Sequence, residues 1–440
     1  MRKRFLKLGL VLFVALLLGG CSMRTTEEMY AFPKRSEAYN NLQSVIDGAM
    51  SGLQYCPPLS GENQQTVQMA DLNGDGQQEY LLFAKGSESM PLRILIFNEE
   101  DGVYVHSETI ESNGSSFDLI EYVQMDDLPG VELIVGKQVS DQILRSVSIY
   151  SFNTGRAELL TSVNYSKFLT TDMDRDGNSE LFVLLPGQTE TDNGIAALYR
   201  IRNGVIERSN EVNMSRPSDQ LKRIISGKLH SGESAVYAAS AVDSTAIITD
   251  VYALVDDVLT NVTFSNESGT SVQTIRNYYV YADDIDDDGV VELPDLISMT
   301  HMDELVSADR QDLIRWYAMT AHGDEIDKKY TYHNFVSGWY LELDKEWAPR
   351  VAVRNLGYQY EFYVWDVSLQ VVDKIASVYV LTGGSRNDPT AEEQRFVLHK
   401  TDSVTYVGSL SEGAAKYNID SNDFINRFHL IQHDWKTGET

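Results

Sequence analysis

Three stretches of this chain place carboxylates at alternating positions in one register. Residues 71–79 read Asp-Leu-Asn-Gly-Asp-Gly-Gln-Gln-Glu, residues 172–180 read Asp-Met-Asp-Arg-Asp-Gly-Asn-Ser-Glu, and residues 284–292 read Asp-Ile-Asp-Asp-Asp-Gly-Val-Val-Glu. The shared pattern is D-x-[DN]-x-D-G-x-x-E. Positions 1, 3 and 5 supply Asp71, Asn73 and Asp75 in the first copy, Asp172, Asp174 and Asp176 in the second, and Asp284, Asp286 and Asp288 in the third. Such oxygens suit calcium, a hard cation that takes roughly six to eight of them at ~2.3–2.6 Å. Position 6 is Gly76, Gly177 or Gly289; a backbone curling round an ion needs positive φ there, which glycine reaches without steric cost. Position 7 (Gln77, Asn178, Val290) offers its carbonyl, and position 9 is a carboxylate, Glu79, Glu180 or Glu292. Closely spaced carboxylates repel unless a cation neutralises them. The three copies therefore predict about three structural calcium ions, with bare acidic turns as the alternative.

The elements that carry these loops are expected to be strands. An EF-hand begins the same way but places its acid at position 12, between helices. Here short apolar runs follow the acid, Tyr80–Phe83 in the first copy and Leu181–Leu185 in the second. The third copy is weaker, because Pro294 and Asp295 interrupt it and proline removes a ladder donor. Two further units lack the alternating acids. Residues 124–130 replace one loop and lead to Val131–Val135; residues 225–233 replace another and lead to Ala235–Ala238. No ion is expected at either. The anchors Glu79, Glu132, Glu180, Glu233 and Glu292 lie 53, 48, 53 and 59 residues apart. Four strands per unit at a period of roughly 40–50 residues is the mark of a β-propeller. A β-sandwich with coincidental acidic turns is the alternative.

On these loops, residues 64–335 resemble the FG-GAP/VCBS repeats, whose best-known members build the propeller of integrin α-subunits. The resemblance implies calcium ligands at positions 1, 3, 5 and 9 and the position 7 carbonyl. It also implies a propeller; five blades can be counted, where the family commonly has seven.

The N-terminus reads as an address. Arg2, Lys3, Arg4 and Lys7 precede an apolar run, Leu8–Leu18, that is too short to span a bilayer. It ends Leu18-Gly19-Gly20-Cys21, which resembles the lipobox of bacterial lipoproteins. Residues 1–20 are then a signal peptide, and Cys21 carries the lipid that holds the chain on a membrane. An ordinary signal peptide or an uncleaved anchor is the alternative. Loss of residues 1–20 leaves 32 Lys and Arg against 65 Asp and Glu, a net charge of −33. Such a surface disfavours nucleic acid and anionic lipid. With Cys21 acylated, Cys56 has no disulfide partner. Residues 21–63 form a tether and an amphipathic helix, with Leu42, Val45, Ile46 and Met50 on one face and Cys56-Pro57-Pro58 as its stop.

Residues 336–440 carry no acidic loop and concentrate aromatics, among them Trp339, Tyr340, Trp347, Tyr358, Tyr360, Phe362 and Trp365. They are expected to form a separate α+β domain, with helices over 367–374 and 421–428 and core aromatics. No G-x-S-x-G, H-E-x-x-H or P-loop pattern occurs. His429 and His433 have helical spacing but lie at the ragged end. The fold expectation is a mainly β chain: a propeller of about five four-stranded blades plus the C-terminal domain. The expected function is binding of a protein or glycan outside the cytoplasm, without catalysis. An envelope polysaccharide-acting enzyme or accessory, and a purely structural envelope lipoprotein, are the other readings.

Overall fold

A computed structural model describes residues 37–431, apart from 140–143, 190–191, 278–279, 300–311, 367–370, 387 and 391–393. The signal peptide, Cys21, His301–Glu304 and His433 lie outside the described residues. The described chain divides into two compact units. The first comprises residues 37–57, 65–71 and 76–113; the second comprises 58–64, 72–75 and 114–431. No described helix is long and apolar enough to cross a membrane.

In the first unit, helix α1 (Glu37–Ala49) packs on a sheet of β1 (Gln54–Tyr55), β2 (Val67–Ala70), β3 (Glu79–Lys85), β4 (Leu92–Glu100) and β5 (Val103–Ser112). Leu42 and Ile46 are buried against Leu82, Ala84, Leu95 and Phe97, with Val45 and Met50 beside them. That is the face the i, i+3, i+4 spacing marks. Cys56 is half-buried and free, its N–H bonded to Phe83 O at 2.9 Å.

The second unit holds five antiparallel sheets. The second sheet of the chain is β6 (Ser116–Val123), β7 (Glu132–Gln138), β8 (Arg145–Ser151) and β9 (Glu158–Tyr165), paired in that order. The third is β10 (Lys167–Thr171), β11 (Glu180–Leu185), β12 (Ile195–Arg202) and β13 (Val205–Arg208), with β14 (Val212–Asn213) beside β12. The fourth is β15 (Leu221–Lys228), β16 (Ser234–Ala241), β17 (Ile247–Val255) and β18 (Val258–Asn261). The fifth is β19 (Glu292–Ser298), β20 (Asp312–Met319), β21 (Glu325–Asn334) and β22 (Trp339–Leu343), closed by β28 (Phe428–Leu430). The sixth is β23 (Val351–Asn355), β24 (Gln359–Asp366), β25 (Val371–Thr382), β27 (Val404–Leu410) and β26 (Arg395–Lys400). Helix α2 (Ser421–Asn426) precedes β28.

The middle strands of the third and fourth sheets read as unbroken apolar runs because each of these sheets is covered on both faces. In β11 and β12, Leu181, Val183, Ala197 and Tyr199 face the second sheet's Ile134, Val147 and Ile149. Their neighbours Phe182, Leu184, Ala196 and Leu198 face the fourth sheet's Val236, Ala238 and Tyr252. The fourth sheet uses Ala235, Tyr237 and Val251 against Leu293, Tyr317 and Met319 of the fifth. Each fully buried Leu, Val or Phe contributes ~1.5–3 kcal/mol. The outer strands face water and lose the pattern: Leu159 and Val205 are exposed.

Three expectations meet a different structure. The division after residue 335 falls inside the fifth sheet, because β21 pairs with β22 across it, Asn334 opposite Trp339. The fifth and sixth sheets share one core of Trp339, Tyr332, Phe362, Val378 and Phe428. The helix over 367–374 is overturned where it is described: residues 371–374 open β25, opposite Tyr363–Asp366. Its Val371-Val372 and Ile375 are β-branched and suit a strand. Pro294 does not break its strand, because β19 is the edge strand of its sheet and an edge tolerates the missing donor. Tyr360, Phe362 and Val364, two residues apart along β24, are buried, whereas Tyr358 at the same spacing is 71 % exposed.

Candidate metal centres

The first acidic loop joins β2 to β3 and the second joins β10 to β11; the third leads into β19, with a single antiparallel bridge, Asp283 to Glu292, across its base. The backbone repeats from copy to copy. Position 4 takes positive φ at Gly74 (73°), Arg175 (62°) and Asp287 (57°), and position 6 at Gly76 (87°), Gly177 (100°) and Gly289 (81°). Position 1 uses one carboxylate oxygen to accept the position 6 N–H: Gly177 N to Asp172 Oδ2 at 3.2 Å and Gly289 N to Asp284 Oδ2 at 2.7 Å. Position 5 accepts from position 7, Asn178 N to Asp176 Oδ1 and Val290 N to Asp288 Oδ1, each at 2.8 Å. These bonds fold the loop and leave other oxygens facing inward.

The glutamate at position 9 clasps the loop from below. Glu180 Oε2 accepts from Met173 N at 2.6 Å, and Glu292 Oε2 from Ile285 N at 3.1 Å. Met173 and Ile285 occupy position 2 and are buried. An apolar residue at position 2, also present as Leu72 and Met125, is a shared feature the sequence reading passed over.

Two sets of acids converge. One oxygen each of Asp172, Asp174 and Glu180 lies within 4.8 Å of the others, and so do those of Asp284, Asp286 and Glu292. Asp172 Oδ1, Asp286 Oδ1 and Glu292 Oε1 are buried without a hydrogen-bond partner. Burying a carboxylate oxygen without a partner is costly, and one cation in each triad would satisfy these oxygens. The donor set fits a hard metal ion. Asp176 and Asp288 stand more exposed, outside these triads. The residues of the first copy are divided between the two units. In the first unit Gly76 N donates to Asp71 Oδ2 at 2.9 Å and Glu79 is buried. In the second, Asp75 N donates to Asn73 Oδ1 at 2.9 Å. Gln77 is exposed.

The electrostatics match the crowding. Burial first, then Asp174, Asp176 and Asp172, push the Glu180 carboxyl up to about 7 against the pull of the Met173 N–H. Burial first, then Asp286 and Asp288, likewise push Glu292 up to about 7. Burial also raises Asp286. Nearby cations answer part of this charge. Arg202 Nη2 reaches Asp174 Oδ2 at 3.2 Å. Lys328 Nζ reaches Asp288 Oδ2 at 2.8 Å and Glu292 Oε1 at 3.8 Å. Lys328 holds Asp288 below the usual carboxylate range. Replacing it in Lys328→Gln is expected to tighten calcium at the third loop about two- to fivefold, the worth of a pair of ~0.5–1 kcal/mol. Calorimetric titration reads this; unchanged or weaker binding would refute the competition.

The two degenerate units differ from each other. Residues 124–131 keep the loop. Leu128 N donates to Asp126 Oδ1 at 2.8 Å and Met125 N to Glu132 Oε2 at 3.0 Å. Gln124 stands at position 1, and its amide donates inward to the carbonyls of Asp126 and Leu128. A neutral side chain thus fills the place of an ion. Residues 229–233 instead form a tight turn, Leu229 N to Glu233 O at 2.8 Å, and Glu233 bonds Ser231 rather than clasping a loop. Within the second unit these corners touch in sequence. A Cβ on Gly74 would strike Pro129. Ser179 N donates to Gln124 O at 2.8 Å, Arg175 Nη1 to Gly232 O at 2.9 Å, and Lys228 N to Gly289 O at 3.2 Å.

No family model and no curated protein matches the chain. Several solved structures are distantly similar. They include the exotype rhamnogalacturonan lyase YesX (11% identity, 74% of this chain and 68% of that one, TM-score 0.29). Rhamnogalacturonan lyase PL11 of Bacillus licheniformis gives 11% identity over 77% and 80%, TM-score 0.29. A protein from Lactobacillus plantarum gives 8% identity over 72% and 86%, TM-score 0.26. Likenesses at this level assign no activity to the chain, which stands as a mainly β protein of antiparallel four- and five-stranded sheets with two acidic clusters suited to a metal ion.

Proposed function

We propose that this chain is a calcium-stabilised binding protein, held by a lipid on Cys21 at the outer side of a bacterial membrane, that presents stacked propeller blades to a protein or glycan. The observation that carries the reading is the pair of acid triads with orphaned buried oxygens. They sit at the corners of sheets that pack face to face in chain order. Loops of the FG-GAP/VCBS type would place such ions at blade corners, where they stiffen the scaffold and take no part in chemistry. The surface between the corners is then free to recognise a partner.

The test has two arms. Calcium titrated into chelator-treated protein should bind at about three sites, and replacing Asp172 or Asp284 with Ala should each remove one. No binding would leave the acidic loops as bare turns and sink the reading. For the anchor, Cys21→Ser is expected to move the protein from the membrane pellet to the soluble fraction and to abolish incorporation of labelled palmitate. A variant that stays in the membrane fraction would refute lipidation at this residue.

A further inference from the structure

One cavity lies away from the acidic loops. It has a volume of about 1020 Å³, at the upper end of the ~300–1,000 Å³ typical of ligand pockets, and is walled by the second, third and fourth sheets and their connections. Lys167 opens β10 at the cavity, and Asp172 follows the other end of that strand. Five residues at ~3.3 Å each put roughly 15 Å between them. The acidic corner and the cavity therefore occupy opposite ends of the same sheet.

The charge of the lining inverts that of the chain. Four cations, Arg145, Lys167, Lys222 and Arg223, line the cavity with two carboxylates, Asp192 and Asp219. The whole chain has 36 Lys and Arg against 65 Asp and Glu. The two arginines are fixed in the wall. Arg223 is 9 % exposed, its guanidinium over the Tyr281 ring at 5.9 Å and its Nε without a hydrogen-bond partner. Arg145 is half-buried, 3.6 Å from Asp118. The two lysines are exposed, and no ion pair holds either one among the described residues. Cations in a concave wall focus their field and draw anions in. Hydroxyls add a polar floor, where Ser166 donates to Ser218 at 2.6 Å.

We propose that this cavity binds a carboxylate-bearing saccharide, a short hexuronate oligomer. The cations come from three sheets, Arg145 from the second, Lys167 from the third and Lys222 with Arg223 from the fourth, a distribution that suits charges spaced along an oligomer. Seryl and amide groups between them match sugar hydroxyls. The inference rests on the reading of the chain as an extracytoplasmic binding protein and names its ligand and site.

Binding is measured by calorimetry with the full chain in detergent. The probes are hexuronate trimers (galacturonate, mannuronate) and the methyl esters of the same trimers, with inorganic phosphate as a second anion. The acids are expected to bind at least tenfold tighter than their esters and phosphate not at all. The double variant Lys167→Gln/Lys222→Gln should weaken the acids about tenfold or more at an unchanged melting temperature. Equal binding of acid and ester, or full affinity in the double variant, would overturn the proposal while leaving a glycan-binding protein. Binding lost on chelation but kept in the double variant would place the contact at the calcium loops and also overturn it. A protein that binds none of the trimers overturns this inference alone; the calcium titration above judges the broader reading separately.

Discussion

Chelation of the protein at pH 8 is expected to lower its melting temperature sharply, and the same treatment at pH 5 to change it little. The cause lies in Glu180 and Glu292. Both carboxyls are raised to about 7, by burial first and by neighbouring aspartates second. In the unfolded chain they titrate near ~4.3. Without an ion, the folded state therefore holds extra protons between these values. The resulting stability is fully present below the unfolded value and is lost as pH rises through 7. An ion reverses the sign, because it needs the deprotonated acids and binds tighter as pH rises. At a free concentration of 100 Kd each site adds ~2.7 kcal/mol. Calorimetric scans with calcium and with chelator, at both pH values, read the difference directly. Identical melting at pH 8 with and without the ion would refute it. Glu180→Gln separates the two effects. Its amide oxygen still accepts the Met173 N–H, so the ion-free form should gain stability at pH 8 while one ion is lost.

A comparable loss is expected from Asp250→Ala, at a site with no metal. Asp250 lies on β17 with no exposed surface. It accepts from Ser215 N at 2.8 Å, Ser215 Oγ at 2.5 Å, Asn261 Nδ2 at 2.9 Å and Ser271 Oγ at 2.6 Å. Ser215 lies in the connection from the third sheet to the fourth, and Ser271 in that from the fourth to the fifth. One carboxylate therefore pins two crossings. Its removal takes the acceptor from four buried donors, of which Asn261 Nδ2 keeps a long bond to Asn213 O at 3.5 Å, and breaking a buried charged network of this kind costs ~3–5 kcal/mol. Urea denaturation measures it. The exposed Asp219→Ala, in the same connection, should leave the midpoint unchanged. An Asp250→Ala midpoint equal to the parent's would show that the connections are held by packing alone.

The acidic corners were legible because their chemistry is repetitive: carboxylates at fixed spacing, a glycine where φ must be positive, and an apolar run after the glutamate. The face-to-face stacking was legible less directly, in runs such as Leu181–Leu185 that are apolar at every step. Other features are carried by contacts the sequence does not announce. Gln124 looks like a lost ligand, and only the fold shows its amide turned into the loop. Asp250 is the one carboxylate in the apolar run Ala246–Leu254, a signal that was available but has no spacing to make it stand out. The 367–374 segment was misread because eight residues are too few for periodicity to separate helix from strand. The boundary at 335 followed the end of the acidic pattern, whereas the fifth sheet takes its fourth strand and an added fifth from beyond it.

The corner at residues 124–131 holds its turn with an amide where its neighbours present acids, and Ser179 of the next corner leans on it through Gln124 O. A sheet can thus trade a borrowed ion for a side chain of its own without changing the path of its backbone. Under the calcium-binding function proposed above, dependence on the ion is a graded trait, set corner by corner. A withdrawal of the ion would soften the corners at 172–180 and 284–292 while the one at 124–131 stays firm, so the molecule would loosen in sections and reassemble against a fixed reference when the ion returns.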